Sequence, residues 1–159
     1  NLDLADLTCV IDTRDPDRTA WDMSPMQVKR KKLDTGDYSI QGLERYIAIE
    51  RKEWSDFLSA VGGQRDRFEN CVARLACLKH SAIVIEGVYS DVIAGNFGMS
   101  KLTVAQVKGA VHSWAKKVPV YFLESPAVAS DFARDWLAAR AKELWIAARA
   151  ADKAMREGA

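Results

Sequence analysis

The stretch "YIAIERKEWSDF", Tyr46 to Phe57, runs from apolar residues straight into Glu50, Arg51 and Lys52 and soon reaches Asp56. In a strand, side chains alternate between faces, so Glu50 and Lys52 point one way and Arg51 the other. An acid and an amine then converge where the chain leaves the sheet. A second acid, Asp37, follows Gly36 in "GDYSI", and an antiparallel neighbour would bring its carboxylate beside Glu50. Two adjacent carboxylates repel unless a cation sits between them, and hard oxygen ligands with an open coordination sphere suit Mg²⁺ or Mn²⁺. Lys52 would face the anion that the metal activates, and Asp56 would lie in the first turn of the following helix. These are the parts for hydrolysing a phosphodiester: a metal that acidifies water and polarises the phosphoryl oxygen, and a lysine that positions the water or stabilises the pentavalent phosphorane.

Such side chains need a rigid frame. "TCVI" (Thr8 to Ile11) followed by the turn-rich "DTRDPD" reads as a buried strand ending in a loop. "QVKRKKL", "GDYSI" and "YIAIERK" read as three more strands, with turns at Asp34-Thr35-Gly36 and Gln41-Gly42, and together suggest an antiparallel meander. Beyond Lys52 the period changes. Trp54, Phe57, Leu58 and Val61 share a helical face closed by Gly62-Gly63, and Phe68, Val72, Leu75 and Leu78 mark a second helix. "SAIVIEG" is continuously apolar, as a strand covered on both faces would be. Val104, Val107, Val111, Trp114 and Val118 give another helix, "VPVYFLE" another strand, and Ser125-Pro126 the start of a long closing helix over about 126–157. The expectation is one α/β domain spanning 1–159, a mixed central sheet flanked by helices.

Composition bounds the partners. In 159 residues, 23 Lys and Arg nearly balance 22 Asp and Glu, so any nucleic-acid surface has to be local. Cys9, Cys71 and Cys77 are odd in number, lack Cys-x-x-Cys spacing and fall among apolar residues; they read as core thiols in a reducing compartment. No apolar run reaches membrane-span length and no signal-peptide pattern opens the chain, which points to a cytoplasmic protein. The absence of a Met at Asn1 points to a chain trimmed from something longer. Lys29, Arg30, Lys31 and Lys32 read either as a DNA-facing stripe or as charges that protect an edge strand. Arg65 and Arg67 flank a helix start suited to phosphate, the alternative being ordinary helix-surface charge. His80 and His112 have no partners at ligand spacing and read as structural or surface residues. The closing helix reads most simply as packing with one solvated face, a homodimer contact being the alternative.

Gly36-Asp37, then Glu50-Arg51-Lys52, then three residues and Asp56 resembles the motif of the XPF/Mus81 (ERCC4) nuclease domain, a branch of the restriction-endonuclease-like superfamily. "VIDTRD" is similar to the family's Val-Asp-x-Arg-Glu, and "GGQRDRFE" to its Arg-containing turn. The resemblance runs from residue 8 to about 125, and in layout the chain looks like the compact bacterial and phage members. It implies a metal-dependent endonuclease with a preference for branched or flapped DNA, nucleoid-associated in such a host, using Mg²⁺ or Mn²⁺. Asp37 and Glu50 match metal ligands and Lys52 the catalytic lysine. Asp12 and Asp56 match further acids of the site, with Asp12 placed among the metal ligands. Arg14, Arg51 and Arg65 match residues that support the site or contact phosphates. Asp15 departs from the pattern, standing where the family usually has Glu. Family members often carry a tandem helix-hairpin-helix domain for gripping DNA, absent here, so affinity should be modest unless the chain dimerises or a partner supplies a second grip. The competing readings are a catalytically silent DNA-binding or scaffold module, against which the intact acids and lysine speak, and a resolvase or restriction-type nuclease.

Overall fold

Six strands form one mixed sheet in the computed structural model, which describes residues 3–157. They are β1 (Thr8–Ile11), β2 (Gln27–Arg30), β3 (Tyr38–Ile40), β4 (Ile47–Lys52), β5 (His80–Glu86) and β6 (Val120–Leu123), in the order β2-β1-β3-β4-β5-β6. β3 is antiparallel to both β1 and β4, whereas β4, β5 and β6 run parallel. The expected meander is therefore corrected in one respect: β2 lies beyond β1, parallel to it, at the sheet edge. Burial explains the order. β3 is buried along its whole length and needs neighbours on both sides, whereas Val28 of β2 is 51% exposed and is followed by Lys29 and Arg30, which an edge tolerates. β2 also stops at Arg30 rather than continuing to Leu33. The Leu33 amide and carbonyl are taken by Asp12 and Arg14, leaving neither for a ladder.

Five helices cover the sheet: α1 (Trp54–Val61), α2 (Arg65–Ala76), α3 (Tyr89–Ala94), α4 (Val104–Ala115) and α5 (Pro126–Glu157). Alternation along β4 and β5 sends Ile47, Ile49, Ala82 and Val84 into one core with Ala129, Ala133, Leu137 and Ala141 of α5. Ala48, Ile83 and Ile85 enter the other core, with α1, α2 and α4. Within that second core, fully buried Trp114 packs edge-on against Phe57 and Phe68, with centroids 6.1 and 4.6 Å apart, and donates Nε1–H to Glu69 at 3.1 Å. The bond satisfies a donor that would otherwise be costly to bury. Ser125 caps α5 through the amide of Val128 at 3.2 Å, as its sequence position before Pro126 suggests. α3 was not anticipated. It is a single short stretch whose end is marked only by Gly95, at φ +73°.

Candidate active site

The Gly-Asp pair is a device for close approach. Gly36 adopts φ +76°, and a Cβ there would lie 2.7 Å from Ala48 Cβ and 3.1 Å from the Ile49 carbonyl, so only glycine lets the chain enter β3 this near β4. Asp37 is then pinned: its amide donates to the Ile49 carbonyl and its carbonyl accepts from the Asp12 amide, both at 2.8 Å. Its Oδ2 accepts from the Arg51 amide at 2.8 Å. Asp37 and Glu50 line the same cleft of about 630 Å³, together with Lys52, Arg14, Asp56 and Arg67. Glu50 is 8% exposed, and Lys52 Nζ sits 2.9 Å from its Oε1. The same Nζ stands 4.8 Å from the Phe68 ring centroid, so the aromatic cluster around Trp114 forms the floor beneath the lysine.

Charge in the cleft is strongly correlated. Burial, together with the Glu50 charge, holds Asp37 well above the usual carboxylate range. Burial works against the Lys52 charge, but Glu50 and Asp37 outweigh it, and the ammonium ends above the ordinary lysine value. Lys52 therefore stays a cation at neutral pH.

Arg51 occupies the opposite face, as alternation requires. Buried there, it contacts Glu86 at 2.8 Å, Asp15 at 3.3 Å, Glu53 at 3.2 Å and the Thr19 carbonyl at 2.7 Å, with its guanidinium 5.4 Å from the Trp21 ring centroid. Trp21 also donates Nε1–H to Glu86 at 2.6 Å, and the Tyr38 hydroxyl donates to Asp15 at 2.5 Å. Asp15 is thus engaged by Tyr38 and Arg51. The network clamps the end of β4 from behind, fixing the backbone that carries Glu50 and Lys52.

Other expected site residues separate. Asp12 is fully buried and does not line the cleft. Its oxygens accept from Arg14 Nε at 2.7 Å and Nη2 at 3.0 Å, and from the amides of Arg14 at 2.8 Å and Leu33 at 2.6 Å. Asp12 thus fastens this loop, with four donors on its two oxygens. Arg14, with a side chain 61% exposed, both fastens that loop and borders the cleft. Asp56 and Arg67 are exposed at the cleft wall, whereas Arg65 is exposed outside it. Lys29, Arg30, Lys31 and Lys32 lie away from the cleft; Arg30 pairs with Asp17 at 3.0 Å and Lys31 with Glu44 at 3.3 Å.

Among the cleft residues that sequence reasoning did not place there are Gln64, Cys71 and Arg74. The signal was available, since Arg67, Cys71 and Arg74 recur at helical spacing on one face of α2. Cys71 is not a simple core thiol: it borders the cleft, and burial and the neighbouring Glu50 charge push it up to about 12. Cys77 is exposed, also against expectation, because it falls at the C-cap where α2 turns away from the core.

Among the described residues no three His, Cys, Asp or Glu side chains gather into a metal cage. Two carboxylates nonetheless suit Mg²⁺, which keeps several waters and takes one or two carboxylates plus substrate phosphate. Asp37 fits that description, since it is held by one oxygen and, among the described residues, Oδ1 receives no protein donor.

No curated protein matches the chain in sequence. XPF from Aeropyrum pernix is similar in structure, with a TM-score of 0.61 over 82% of this chain and 59% of that chain, at 19% sequence identity. The present chain thus spans less than two thirds of that protein's chain and shares its XPF-like fold. The ERCC4 domain model matches residues 7–133, a span that holds Asp37, Glu50 and Lys52 and every strand of the sheet, and the chain belongs to the ERCC4 domain family.

Proposed function

We propose that the chain is a metal-dependent DNA endonuclease that hydrolyses phosphodiester bonds, prefers branched or flapped DNA, and acts in the cytoplasm on DNA being repaired, recombined or processed. The observation that carries this reading is the convergence of Asp37, Glu50 and Lys52 in one open cleft bordered by Arg14, Arg67 and Arg74. Asp37 and Glu50 would hold Mg²⁺ or Mn²⁺, which when bound supplies Lewis acidity and a more acidic water. Lys52, fixed over Phe68 and kept charged by its carboxylate neighbours, supplies positive charge where the phosphoryl oxygens become more negative. Asp56 offers a further acceptor at the rim, and the arginines present donors to flanking phosphates. The preference for branches rests on the family likeness. No observation favours the silent-module reading, since the acids and the lysine are all present.

A gel assay with flap, fork, Holliday-junction, single-stranded and duplex DNA in Mg²⁺, Mn²⁺ or EDTA tests the proposal. Cleavage should require metal and vanish in Glu50→Ala while DNA binding survives. Cleavage that persists in EDTA, or at more than a few per cent of the parent rate in a folded Glu50→Ala protein, would overturn it.

A further inference from the structure

A recess of about 250 Å³ lies at the far end of the parallel strands from the cleft. Lys79, His80, Lys117 and Arg140 line it with Tyr121 and Trp136. His80 opens β5 beside Ile47, the first residue of β4, whereas Glu50 and Lys52 lie toward the other end. Glu50 and Lys52 pair with Ile83 and Ile85, three and five residues beyond His80, so at about 3.3 Å per residue the separation along the sheet is roughly 10–17 Å. α2 connects the two places: Arg67 and Arg74 border the cleft, and Ala76, its last residue, borders the recess.

The recess has the chemistry of an anion site. The carboxylates beside its basic side chains are Glu143, 2.7 Å from Arg140 Nη1 and 3.5 Å from His80 Nε2, and Glu69, 3.9 Å from Lys117 Nζ; burial holds His80 below the ordinary histidine range, so the positive charge comes from Lys79, Lys117 and Arg140. Among the described residues Lys79 has no carboxylate partner. Arg140 Nε and His80 Nε2 are buried with no hydrogen-bond partner. The Arg140 guanidinium lies 5.7 Å from the Trp136 ring centroid, so its planar donor fork is held against an aromatic wall. A flat, immobilised guanidinium beside lysines matches phosphate oxygens.

We propose that this recess is a second DNA site, binding a backbone phosphate of the substrate about three to five nucleotides from the bond cut in the cleft, because roughly 10–17 Å corresponds to about three to five steps of 3.4 Å along one strand. The proposal rests on the nuclease reading above and adds the grip that the cleft arginines alone do not supply.

The test uses the full chain carrying Glu50→Gln and forked DNA whose arms extend about one or about ten nucleotides past the junction, with affinity measured by anisotropy across a salt series. Longer arms should tighten binding roughly tenfold, and Lys79→Ala with Lys117→Ala should abolish that increment and reduce the log-log salt slope by about 2, as loss of two phosphate contacts requires. Arg140→Gln is the second variant, expected to lose most of the increment with the slope lowered by about 1. An increment that survives in both folded variants, or no increment in the parent, overturns the recess alone. Inorganic phosphate that shifts the His80 resonances and is not displaced by long-armed DNA also overturns it, by making the ligand a free anion. A parent that neither binds nor cuts any of these DNAs in Mg²⁺ or Mn²⁺ overturns the nuclease reading itself.

Discussion

Asp37 carries a stability cost that should be measurable. Its folded-state pKa is raised by burial and by Glu50, so between the ordinary aspartate value and the raised one the native state holds a proton that the unfolded state has lost. Stability therefore falls as pH rises through that window. Without divalent metal, Asp37→Asn should be more stable than the parent at neutral pH by at least about 1 kcal/mol, or roughly 2–4 °C in Tm. The gap should close near pH 4, and Mn²⁺ should narrow it at pH 7 by stabilising only the parent. Thermal melts across pH with and without Mn²⁺ would show this, and equal Tm values at every pH would refute it. Lys52 is separable by a different readout. Lys52→Ala should lose cleavage yet retain Mn²⁺ binding in calorimetry, whereas Glu50→Ala should lose both. Their shared placement was legible because alternation alone puts Glu50 and Lys52 on one face. Asp12 was not legible, because nothing in its spacing reveals that Arg14 and the distant Leu33 amide would occupy its oxygens.

Among the elements, the junction of β3 and β4 is the most constrained. Gly36→Ala would combine a strained positive φ with a Cβ 2.7 Å from that of Ala48, at about 1–3 kcal/mol for the backbone alone. It should also displace Asp37 and weaken Mn²⁺ binding. Ala48→Gly in the same protein should relieve the contact and not the strain, restoring only part of the stability in chemical denaturation. Full restoration would show that the dihedral angle costs nothing. Behind the same junction, Arg51→Met would leave Glu86 and Asp15 without their guanidinium and should cost about 3–5 kcal/mol. Adding Glu86→Gln should recover part of that loss, which a double-mutant cycle would measure. The sequence showed Arg51 turning away from the metal face, but its partners come from residues 15 and 86, separations that periodicity cannot span. The position of β2 was hidden for a similar reason. Strand order depends on which segment most needs burial, and a meander was the simplest of several orders.

For the molecule as a whole, the two cores differ in how far apart in sequence their parts lie. The core beside α1, α2 and α4 draws on residues from Ala48 to Val118, whereas the other joins Leu7 through Ile49, Ala82 and Val84 to Ala129, Ala133, Leu137 and Ala141 of α5. The first could be inferred from consecutive amphipathic helices. The second was legible only in part: the closing helix reads as packing with one solvated face, but Ala is a weak hydrophobic marker and does not say which strands the helix covers. Its outer half does remain exposed, with Trp145 and Ile146 uncovered. The split also gives synthesis a direction. Chains emerge from the ribosome N-terminus first, so the inner face of β1, β3 and β4 is complete before the helix that covers it exists. Nascent chains stalled with residues to 125 outside the tunnel should therefore remain cleavable by protease within the first 50 residues. Those with residue 141 outside should become resistant, and resistance already present at 125 would show that the sheet closes without its lid. Until α5 is made, a cell has to shelter a bare apolar sheet, which makes this protein a candidate client for chaperones that hold nascent chains.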